Sequence, residues 1–547
     1  MAEVYNKWSR KIILILFILI IIFPFIRIFT VNYIDGHDFL HYFFRIYALE
    51  ESIKQGVLLP RVIHDGSYGY GSPVFSMMWA APLYLGAVLH IAGLPYPLIF
   101  KLLILLPNLL GGVGLYLWLK SKYGFIPSVV ASIVFIWVPY RFLDSFIRYS
   151  IGELFFLAFL PFVFYFIDHA EKLRNVILGG IFSALMIYSH QGLSLVAYII
   201  FIVYSFIETW PQKKLLTRKL ILLANGLLLT LFYWLPLLLY TKILHLKPDP
   251  IDTRWFPPLS SLVRSKWEGG FVDGQYLIMS FQIGLAHLLI LFILNIFVLY
   301  RLISHKKVPS FILALLVLFW LSIFFLQPIS TPVWDNIPLL AHLQFPFRFL
   351  IFPMIVSSTA TAFLLSQLKK KTLYIVAICL IIVVVVENRN HLGVANKDVN
   401  IRDIETYEET YFVGNDMFPF RSVMKDIEKN KDFKRDEFTI ISGKGKVITA
   451  KREDYQSSAT INMDKRGIVQ IRRFYFPGWE IIVGNKRIES NNNFILEVVL
   501  DKGKHLLKVM YKDPLFVQIA TLISVVTFFV NSLLIGKHII YKTSNKI

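Results

Sequence analysis

The amino-acid sequence predicts an α-helical polytopic membrane protein with about twelve spans and an antiparallel β-sandwich domain near the C-terminus. Hydrophobic residues make up 56% of the 547 positions and charged residues 17%, whereas charge occupies about a quarter of a soluble protein. Many apolar runs reach the roughly 17–25 residues that cross a bilayer as a helix, the element that satisfies its own backbone in lipid. Between positions 388 and 513 these runs give way to charged, alternating ones.

Short basic loops predict which helix ends face the cytoplasm. Lysine and arginine collect in segments such as "KSKYG" at 120–124 and "KKK" at 369–371, and such clusters stay on the inner side of a membrane. Longer and less basic loops, including 32–95, are therefore placed outside, and both termini inside. The apolar segment 73–93 would break this alternation as a span, so we expect it to lie along the outer surface or to re-enter it.

The net charge of +20 is explained by these inner loops, which meet anionic lipid, and no nucleic-acid partner is predicted. The single cysteine, Cys379, excludes an intrachain disulfide and a zinc site built from cysteines. The first apolar run, 12–31, is too long for a signal peptide and lacks a small-residue cleavage site, so we expect an uncleaved first span. The predicted location is the cytoplasmic membrane.

The segment 388–513 has the pattern of a small β domain. Alternating runs such as "EFTIISG" and "HLLKVMY" are separated by "GKGK", "VGNKR" and "DKGK", which predict hairpins. The predicted domains are thus a transmembrane domain over 1–387, an outer β-sandwich over 388–513, and a last span at 514–536 with a cytoplasmic tail to 547. The aromatic residues of "FYFPGW" are expected in the sandwich core. The alternative is glycan stacking on Phe474, Tyr475, Phe476 and Trp479.

The stretch "DGHDFLHYFFRIY", residues 35–47, follows directly on the first span. If the chain is helical from Asp38 onward, Asp38, His41 and Arg45 fall within one narrow arc, and the phenylalanines point elsewhere. A carboxylate, an imidazole and a guanidinium on one face suggest an active site. The alternative is an interfacial amphipathic helix whose charges are only solvated.

The next segment, "GVLLPRVIHDGSYGYGSPVF" at 56–75, is too rich in glycine and proline for regular structure. Such loops often shape a binding cleft, and the alternative is a turn-rich connector. It carries polar and aromatic candidates: Arg61, His64, Asp65, Tyr68 and Tyr70.

Further ionisable residues stand near predicted outer ends of spans, where burial in a membrane is costly and suggests function. The motif "RFLDSFIRYSIGE" contains Arg141, Asp144, Arg148, Tyr149 and Glu153; "SHQ" contains His190; "QFPFRF" contains Gln344 and Arg348. An aspartate near arginines suits group transfer from a phosphorylated lipid. The aspartate would take a proton from an acceptor hydroxyl, and the arginines would hold the phosphate.

The ordered motifs "GHDFLHYFFR", "GVLLPR", "GYGSPVF", "RYSIGE", "SHQ" and "QFPFRF" resemble the membrane proteins called 6-pyruvoyl-tetrahydropterin synthase-related. The closing "YFPGWEIIVGNKRIE" and "LDKGKHLLKVMYKD" resemble the outer domain of a bacterial family implicated in glycosylating cell-wall polymers. Both families resemble the GT-C glycosyltransferases, which use polyprenyl-phosphate-linked sugars outside the membrane.

The resemblance implies that the first outer loop carries the catalytic aspartate, with Asp38 as the best match and Asp35 as the second choice. It also implies site roles for Arg148, Glu153, His190 and Arg348. Where the family often has Pro-Arg-Trp, this chain has Val62 after Arg61, so an aromatic contact is missing. No cofactor is predicted with certainty. A divalent metal ion, Mg or Mn, is an alternative, with oxygens from Asp35, Asp38 and Glu153.

The predicted function is transfer of a sugar from a polyprenyl-phosphate donor to a glycan, glycolipid or cell-wall polymer acceptor outside the cytoplasmic membrane. Asp38 is the predicted base, and the predicted binding residues are His41, Arg45, Arg61, Arg148, Glu153, His190, Gln344 and Arg348. The alternatives are a non-catalytic scaffold for envelope assembly, a lipid or glycan transporter, and a lipid-linked phosphotransferase.

Overall fold

The computed structural model describes residues 2–63, 66–67, 69–244, 250–273, 276–337, 340, 342–399, 436–453, 455–488 and 494–544. Its α-helices are α1 (Ala2–Ile22), α2 (Phe39–Lys54), α3 (Val74–Met77), α4 (Ala81–Ile91), α5 (Tyr96–Tyr123), α6 (Phe125–Ile136), α7 (Pro139–Phe142), α8 (Ile151–Asp168), α9 (Leu173–Ile187), α10 (Gln191–Thr209), α11 (Lys213–Leu229), α12 (Leu231–Ile243), α13 (Leu259–Val263), α14 (Leu285–Ile303), α15 (Ser310–Phe325), α16 (Thr331–Asn336), α17 (Ile351–Ser366), α18 (Lys370–Asn388) and α19 (Leu515–Ser544).

Shorter turns and ten strands complete the described structure. The 3₁₀ turns are Phe23–Thr30, Thr253–Trp255, Pro328–Ser330, Pro346–Leu350 and Arg389–His391, and a π-helical turn covers Leu143–Ile147. The strands are β1 (Tyr33–Ile34), β2 (Gly269–Asp273), β3 (Tyr276–Met279), β4 (Asn396–Lys397), β5 (Phe438–Arg452), β6 (Gln456–Phe474), β7 (Trp479–Val483), β8 (Lys486–Ile488), β9 (Ile495–Leu500) and β10 (Gly503–Tyr511).

The helical part has the length and composition of a polytopic membrane domain. Among the described residues, eight helices can cross a bilayer unaided, and three bent pairs raise the number to eleven if each is one span. The predicted number of about twelve also includes α9, whose 15 residues extend about 22 Å, less than the roughly 30 Å hydrocarbon core. Helix α4 has 11 residues, about 16 Å, which agrees with the prediction that segment 73–93 does not cross.

Two helices form the centre of the bundle. The apolar windows of α8 and of the span Pro346–Ser366, which contains α17, are each 89% buried, whereas those of α18 and α19 are 17% buried. A helix that is apolar all round and enclosed by protein belongs to the interior, and one that exposes apolar residues faces lipid. The polar residues that begin α8 and precede α17 are therefore enclosed by protein.

The bent pairs interrupt the bundle where the backbone leaves regular helix. Helix α6 and segment Pro139–Ile147 meet at 50°, α11 and α12 at 69°, and α15 and Pro328–Asn336 at 90°. Irregular backbone at membrane depth is tolerated where protein encloses it. The first break meets this condition, since Trp137, Val138 and nearly all of 139–150 are buried.

The C-terminal domain, here called the sheet domain (438–511), confirms the predicted antiparallel β structure. Its described strands form one six-stranded sheet in the order β5-β6-β10-β7-β8, and β9 also pairs with β6. The hairpin predicted at "VGNKR" is present as β7–β8. The hairpins predicted at "GKGK" and "DKGK" are wrong. "GKGK" lies inside β5, and β9 and β10 run in the same direction along one edge of β6.

Glycines explain why the long strands continue where turns were predicted. A Cβ atom on Gly467 of β6 would lie 2.0 Å from the Ser442 carbonyl oxygen, and one on Gly443 would lie 2.7 Å from the Gly467 Cα. The two backbones approach closely here, and the β5–β6 register shifts on both sides of Ser442. These glycines thus form an irregularity within a continuing strand pair, a role that glycine also has in sheets.

The sheet domain packs on the Gly-rich loop, residues 56–75. The Phe474 N–H donates to the Tyr70 carbonyl oxygen at 2.8 Å, and the two rings stack with centroids 5.2 Å apart. Phe476 packs on Tyr240 of α12 at 4.4 Å. The described part of the loop is therefore packed between the sheet domain and the helices. Two of its predicted candidates, Tyr70 and Arg61, are buried, whereas the other three lie outside the described residues: His64, Asp65 and Tyr68.

The motif "FYFPGW" is packed against protein, but the predicted place in the sandwich core is right only in part. Tyr475 and Trp479 border the core of the sheet domain, whereas Phe474 and Phe476 are buried against the Gly-rich loop and the helices. Phe474 and Phe476 are 2% and 1% exposed. Trp479 packs edge-on against Tyr511 at 5.4 Å, and the Arg473 guanidinium lies 5.4 Å from its ring centroid. These aromatic faces contact protein, which argues against a stacking platform for glycans at this motif.

Replacing Gly36 by alanine should destabilise the protein, because the new Cβ would lie 2.4 Å from the Tyr149 Cβ. Tyr149 cannot withdraw easily, since its φ is +58° and its hydroxyl donates to the Phe100 carbonyl oxygen at 2.7 Å. The expected loss is about 1–3 kcal/mol, seen as a lower Tm in detergent. Gly393→Ala is the control, since nothing lies within 4 Å of its Cβ position. Equal Tm values for both variants would contradict the close packing.

Candidate functional site

A buried carboxylate, Glu153, lies among the polar residues that the sequence singles out. It stands in the first turn of α8 and is 0% exposed. Its Oε1 accepts hydrogen bonds from Arg148 Nη2 at 2.7 Å and from Arg348 Nε at 2.8 Å, and its Oε2 accepts one from the Tyr140 hydroxyl at 2.8 Å. Because burying an ion costs several kcal/mol, these donors are what makes an ionised Glu153 tolerable here.

A second carboxylate, Asp144, binds the other side of Arg148. Arg148 Nη1 donates to Asp144 Oδ1 at 2.5 Å and to the Tyr140 hydroxyl at 3.1 Å. Asp144 lies in the π-helical turn, a conformation that is frequent at functional sites. We call Tyr140, Asp144, Arg148, Glu153 and Arg348 the Glu153 cluster. It contains two carboxyl groups and two guanidiniums.

Arg348 reaches the cluster from the 3₁₀ turn before α17. Its Nη1 also donates to the Gln344 side-chain oxygen at 3.0 Å, and Gln344 itself adopts a φ of +63°. The turn also brings the Phe347 ring under Arg148, with 4.8 Å between the ring centroid and the guanidinium carbon. Predicted site residues from two distant motifs, "RYSIGE" and "QFPFRF", are thus in direct contact.

Asp38 lies beside the cluster and begins α2. The His37 and Asp38 backbone N–H groups donate to the Ile147 and Arg148 carbonyl oxygens at 2.9 and 3.0 Å. Asp38 is half-buried. The residue predicted as base is therefore held by main-chain hydrogen bonds to the same segment that supplies Arg148.

The predicted polar face of α2 is present, but it is packed against protein. Tyr42 is enclosed and lies within electrostatic range of Asp38, Arg45, Arg148 and Glu153; burial is the main reason that its pKa is well above 10, and Asp38 raises it further. Arg45 is 3% exposed, and its Nη1 lies 2.8 Å from Met78 Sδ. The interfacial-helix alternative is therefore wrong, since solvated charges would be exposed.

The far end of α2 is fixed by another buried carboxylate, Glu50. It accepts hydrogen bonds from His90 Nδ1 at 2.7 Å and the Tyr96 hydroxyl at 2.5 Å, and Lys54 Nζ lies 2.6 Å away. Burial alone would raise the pKa of Glu50, but hydrogen bonds from Lys54, Tyr96 and His90 outweigh it and lower the pKa. Helix α2 is thus anchored at both ends.

His190 has a structural role in this geometry. It is the N-cap of α10, and its Nδ1 accepts the Leu193 N–H at 3.2 Å. The Trp79 ring stacks on it at 6.3 Å, and it lies in the electrostatic neighbourhood of Arg348 and Glu153. The predicted His190 is therefore adjacent to the cluster, at the end of the turn that joins α9 to α10.

The polar partners of Asp35 and Arg61 lie away from the Glu153 cluster. The exposed Asp35 accepts from Lys397 Nζ at 2.8 Å beside the short β1–β4 pair. Arg61 Nη1 donates to the Phe232 carbonyl oxygen at 3.1 Å, and its Nε lies 3.6 Å from Asp513 Oδ1. Arg61 thus joins the Gly-rich loop to α12 and to the segment that follows the sheet domain.

The three carboxylates considered for a metal ion do not fit one site. Asp35 is paired with Lys397, and both oxygens of Glu153 already accept hydrogen bonds. Within the described ranges, no group of three His, Cys, Asp or Glu side chains is placed to hold a metal ion. We therefore assign no metal to Asp35, Asp38 and Glu153.

Two members of the Glu153 cluster, Asp144 and Tyr140, were not among the predicted catalytic and binding residues. Asp144 lies four positions before Arg148, a spacing that pairs charges on a helix, so its motif carried a usable signal. Tyr140 gives no such signal, because its hydroxyl meets Glu153 only through the break after α6.

The architecture and this site define a polytopic helical membrane protein with a polar centre where its helices break. The chain matches the 6-pyruvoyl-tetrahydropterin synthase related domain, described as a membrane protein, over residues 78–390. This match covers more than half of the chain, which therefore belongs to that family. Arg148, Glu153 and Arg348 lie inside the matched region, whereas Asp38 and the sheet domain lie outside it. No curated protein matches the sequence significantly.

Solved structures of an oligosaccharyltransferase from Archaeoglobus fulgidus resemble the chain. The complex with zinc and sulfate aligns at 15% identity with a TM-score of 0.45, covering 73% of this chain and 56% of that one. The form tethered to an acceptor peptide aligns at 13% identity with a TM-score of 0.38, covering 77% and 55%. The alignments thus span just over half the length of those chains.

Replacing Glu153 by glutamine should destabilise the protein strongly. Arg148 and Arg348 would then share a buried region with Asp144 as the one carboxylate of the cluster, and breaking a buried ion pair costs about 3–5 kcal/mol. The free energy of unfolding, measured by denaturant titration in mixed micelles, tests this. The matched control is Glu268→Gln, which removes the exposed Lys266–Glu268 pair and should cost less than about 1 kcal/mol. Equal losses would contradict the assignment.

Stability should fall as the pH drops below about 6.5, and His37 should contribute to the loss. Burial is the main cause that lowers the pKa of His37 below 6.5, and the positive charge of Arg148 lowers the pKa further. The hydrogen bond to Gly269 and the negative charge of Asp35 act in the opposite direction and raise the pKa. The unfolded chain therefore takes up the proton first, so stability decreases from 6.5 down to the folded pKa and is unaffected above 6.5.

His37→Gln should flatten the dependence of Tm on pH in this acidic window, while leaving it unchanged at higher pH. His505→Gln is the control, because the hydrogen bond of His505 to the Asp501 carbonyl oxygen is solvent-exposed. If Tm depends on pH in the same way in wild type and His37→Gln, His37 does not contribute to the loss of stability at acidic pH.

Proposed function

We propose that the protein is a GT-C-type glycosyltransferase that moves a sugar from a polyprenyl-phosphate donor to an acceptor hydroxyl outside the cytoplasmic membrane. The observation that carries the proposal is the placement of Asp38. It is the N-cap of α2, is half-buried, and is tied by its backbone to Arg148 of a buried polar cluster. A carboxylate whose backbone is fixed at the edge of such a centre suits general-base chemistry.

In the proposed reaction, the Asp38 carboxylate takes the proton of the acceptor hydroxyl. The hydroxyl oxygen forms a bond to the anomeric carbon of the donor sugar as the bond from that carbon to the phosphate oxygen breaks. The polyprenyl phosphate leaves with the electron pair, and the configuration at the anomeric carbon inverts. The proton ends on Asp38 and passes to water.

Arg45 is the residue we assign to the leaving phosphate. It stands seven positions after Asp38 on the same face of α2, which separates the two by about 10 Å along the helix. Because Arg45 and Tyr42 are buried in the structure, the proposal requires the packing around this face of α2 to open when the donor binds, so that the sugar ring can lie between the base and the group that receives the negative charge.

The Glu153 cluster has a positioning role in this proposal. Arg148 and Arg348 are engaged by Glu153 at 2.7 and 2.8 Å, so neither guanidinium is freely available to a phosphate. Their fixed pairing holds the segment that carries the Arg148 carbonyl, and this carbonyl positions Asp38. Fixed dipoles and charges around a reacting group lower the cost of charge movement.

Asp38→Asn should lower sugar transfer by about 10²–10⁴-fold, the usual contribution of a general base. The assay uses the full chain in liposomes with a panel of polyprenyl-phosphate sugars and acceptors, and measures transferred label. Asp35→Asn is the matched control, since Asp35 is exposed and paired with Lys397, and it should retain activity.

Other outcomes would contradict the proposal in distinct ways. Loss in Asp35→Asn together with full activity in Asp38→Asn would move the base to Asp35. Stable donor binding by wild type without transfer to any acceptor would favour a non-catalytic envelope-assembly scaffold. Movement of the donor across the bilayer without transfer would favour a transporter.

A further inference from the structure

One face of the sheet domain carries lysines in a regular arrangement. Strand β6 lies between β5 and β10, and cross-strand neighbours on one face form three rows. The rows are Lys446–Asn462–Lys504, Thr449–Thr460–Leu506 and Lys451–Ser458–Lys508. We call these nine residues the lysine face. The opposite face of β6 supplies core residues, namely Ala459, Ile461 and Met463.

The spacing of the four lysines follows from sheet geometry. Neighbouring strands lie about 4.8 Å apart, and residues rise about 3.4 Å along a strand. The backbones of Lys446 and Lys504 are therefore about 10 Å apart, and the two lysine rows about 14 Å apart. Hydroxyl and amide side chains and one exposed leucine, Leu506, fill the area between them. The lysine face thus has cations at its corners and neutral groups inside.

This single-sign charge needs an explanation. Protein surfaces normally mix both signs, and like charges on one face repel each other. The nine residues include four lysines and no acidic residue. Lys451 also contacts Glu453, whereas no acidic side chain among the described residues pairs with Lys446, Lys504 or Lys508.

Protection of a sheet edge does not account for the pattern. Lysines on an edge strand prevent pairing with other chains, which would explain Lys446 and Lys451 on the edge strand β5. Lys508, however, lies on β10 where this strand is paired on both sides, with Ser458 of β6 and with Ile482 of β7. Its charge protects no edge.

We propose that the lysine face binds a linear polyanion, a polymer that repeats phosphodiester or carboxylate groups along its chain. Charge complementarity supplies the attraction, and the neutral hydroxyl and amide groups between the lysines contact the units that separate the anions. A lipid surface is a poorer fit, because only two large apolar side chains, Leu506 and Ile448, are exposed among these lysines, whereas interfacial elements present several. If the proposed transfer reaction holds, the bound polymer is its acceptor; this last step rests on the proposed function.

Binding can be tested without any transfer reaction. The full chain is placed in nanodiscs of zwitterionic phosphatidylcholine and titrated with fluorescent poly(glycerol phosphate), polygalacturonate and neutral dextran. Wild type should bind one or both polyanions but not dextran, with affinity that falls as salt screens the charges. The polyanion that binds more tightly shows whether the lysine face prefers phosphodiester or carboxylate groups.

The variant Lys446→Gln/Lys451→Gln/Lys504→Gln/Lys508→Gln should bind at least about tenfold more weakly, since four charge contacts at the surface are lost. A matched control with the same charge change, Lys213→Gln/Lys214→Gln/Lys369→Gln/Lys370→Gln, alters exposed lysines elsewhere and should bind like wild type. An unchanged Tm in the first variant shows that the sheet is intact.

Three results would overturn the proposal. The first is that wild type binds no polyanion. The second is that both quadruple variants lose the same affinity, which would show that binding depends on the net charge of the protein and not on the lysine face. The lysine-face variant could also keep polymer binding yet lose adhesion of the nanodiscs to phosphatidylglycerol vesicles, which would assign the face to a membrane surface.

Discussion

The pairing of Glu153 with two arginines is the constraint on which the centre of this protein depends. A fully buried carboxylate is stable there because Arg148, Arg348 and Tyr140 donate to it, and desolvated guanidiniums need it equally. Tyr140 and Arg148 come from the segment between α6 and α8, Arg348 from the turn before α17, and Glu153 itself from the start of α8. The one electrostatic requirement therefore holds three parts of the bundle together.

The broken helices are the means by which polar groups enter an apolar bundle. Regular helices would bury apolar faces and leave no backbone group for other partners. At the first break, the carbonyl oxygens of Ile147 and Arg148 accept from the start of α2, and Tyr149 adopts a left-handed conformation beside them. Strained positions of this kind persist where surrounding contacts determine them, and they concentrate at functional sites.

Helix α2 links this centre to the rest of the first long loop. Its beginning is tied to Arg148 and its end to Glu50 and its donors, so Asp38 and Arg45 are held on a fixed frame. The Gly-rich loop that follows α2 is held in turn by the sheet domain through Tyr70 and Phe474. The part of the chain that matches the family model, 78–390, is thus completed by elements on both sides of it.

Composition and periodicity alone determined the class of this protein, its helical spans and the strand pattern of its last domain, because lipid and a half-buried sheet each impose a local pattern on side chains. The same reasoning placed Asp38, Arg45, Arg148, Glu153 and Arg348 among the site candidates. It misjudged "GKGK" and "DKGK", since whether a glycine turns a strand or continues it depends on the strand that pairs with it.

Only the tertiary structure decided which candidates meet. Arg348 contacts Glu153 across 195 positions of sequence, and Tyr140 joins them through a helix break that no local pattern announced. Arg61 and Asp35, which the sequence also named as candidates, have partners in α12, in Asp513 just after the sheet domain, and in β4. Hydrophobic patterns are local and can be read along the chain, whereas the pairing of buried charges depends on long-range packing, because each buried charge needs a partner that only the folded bundle supplies.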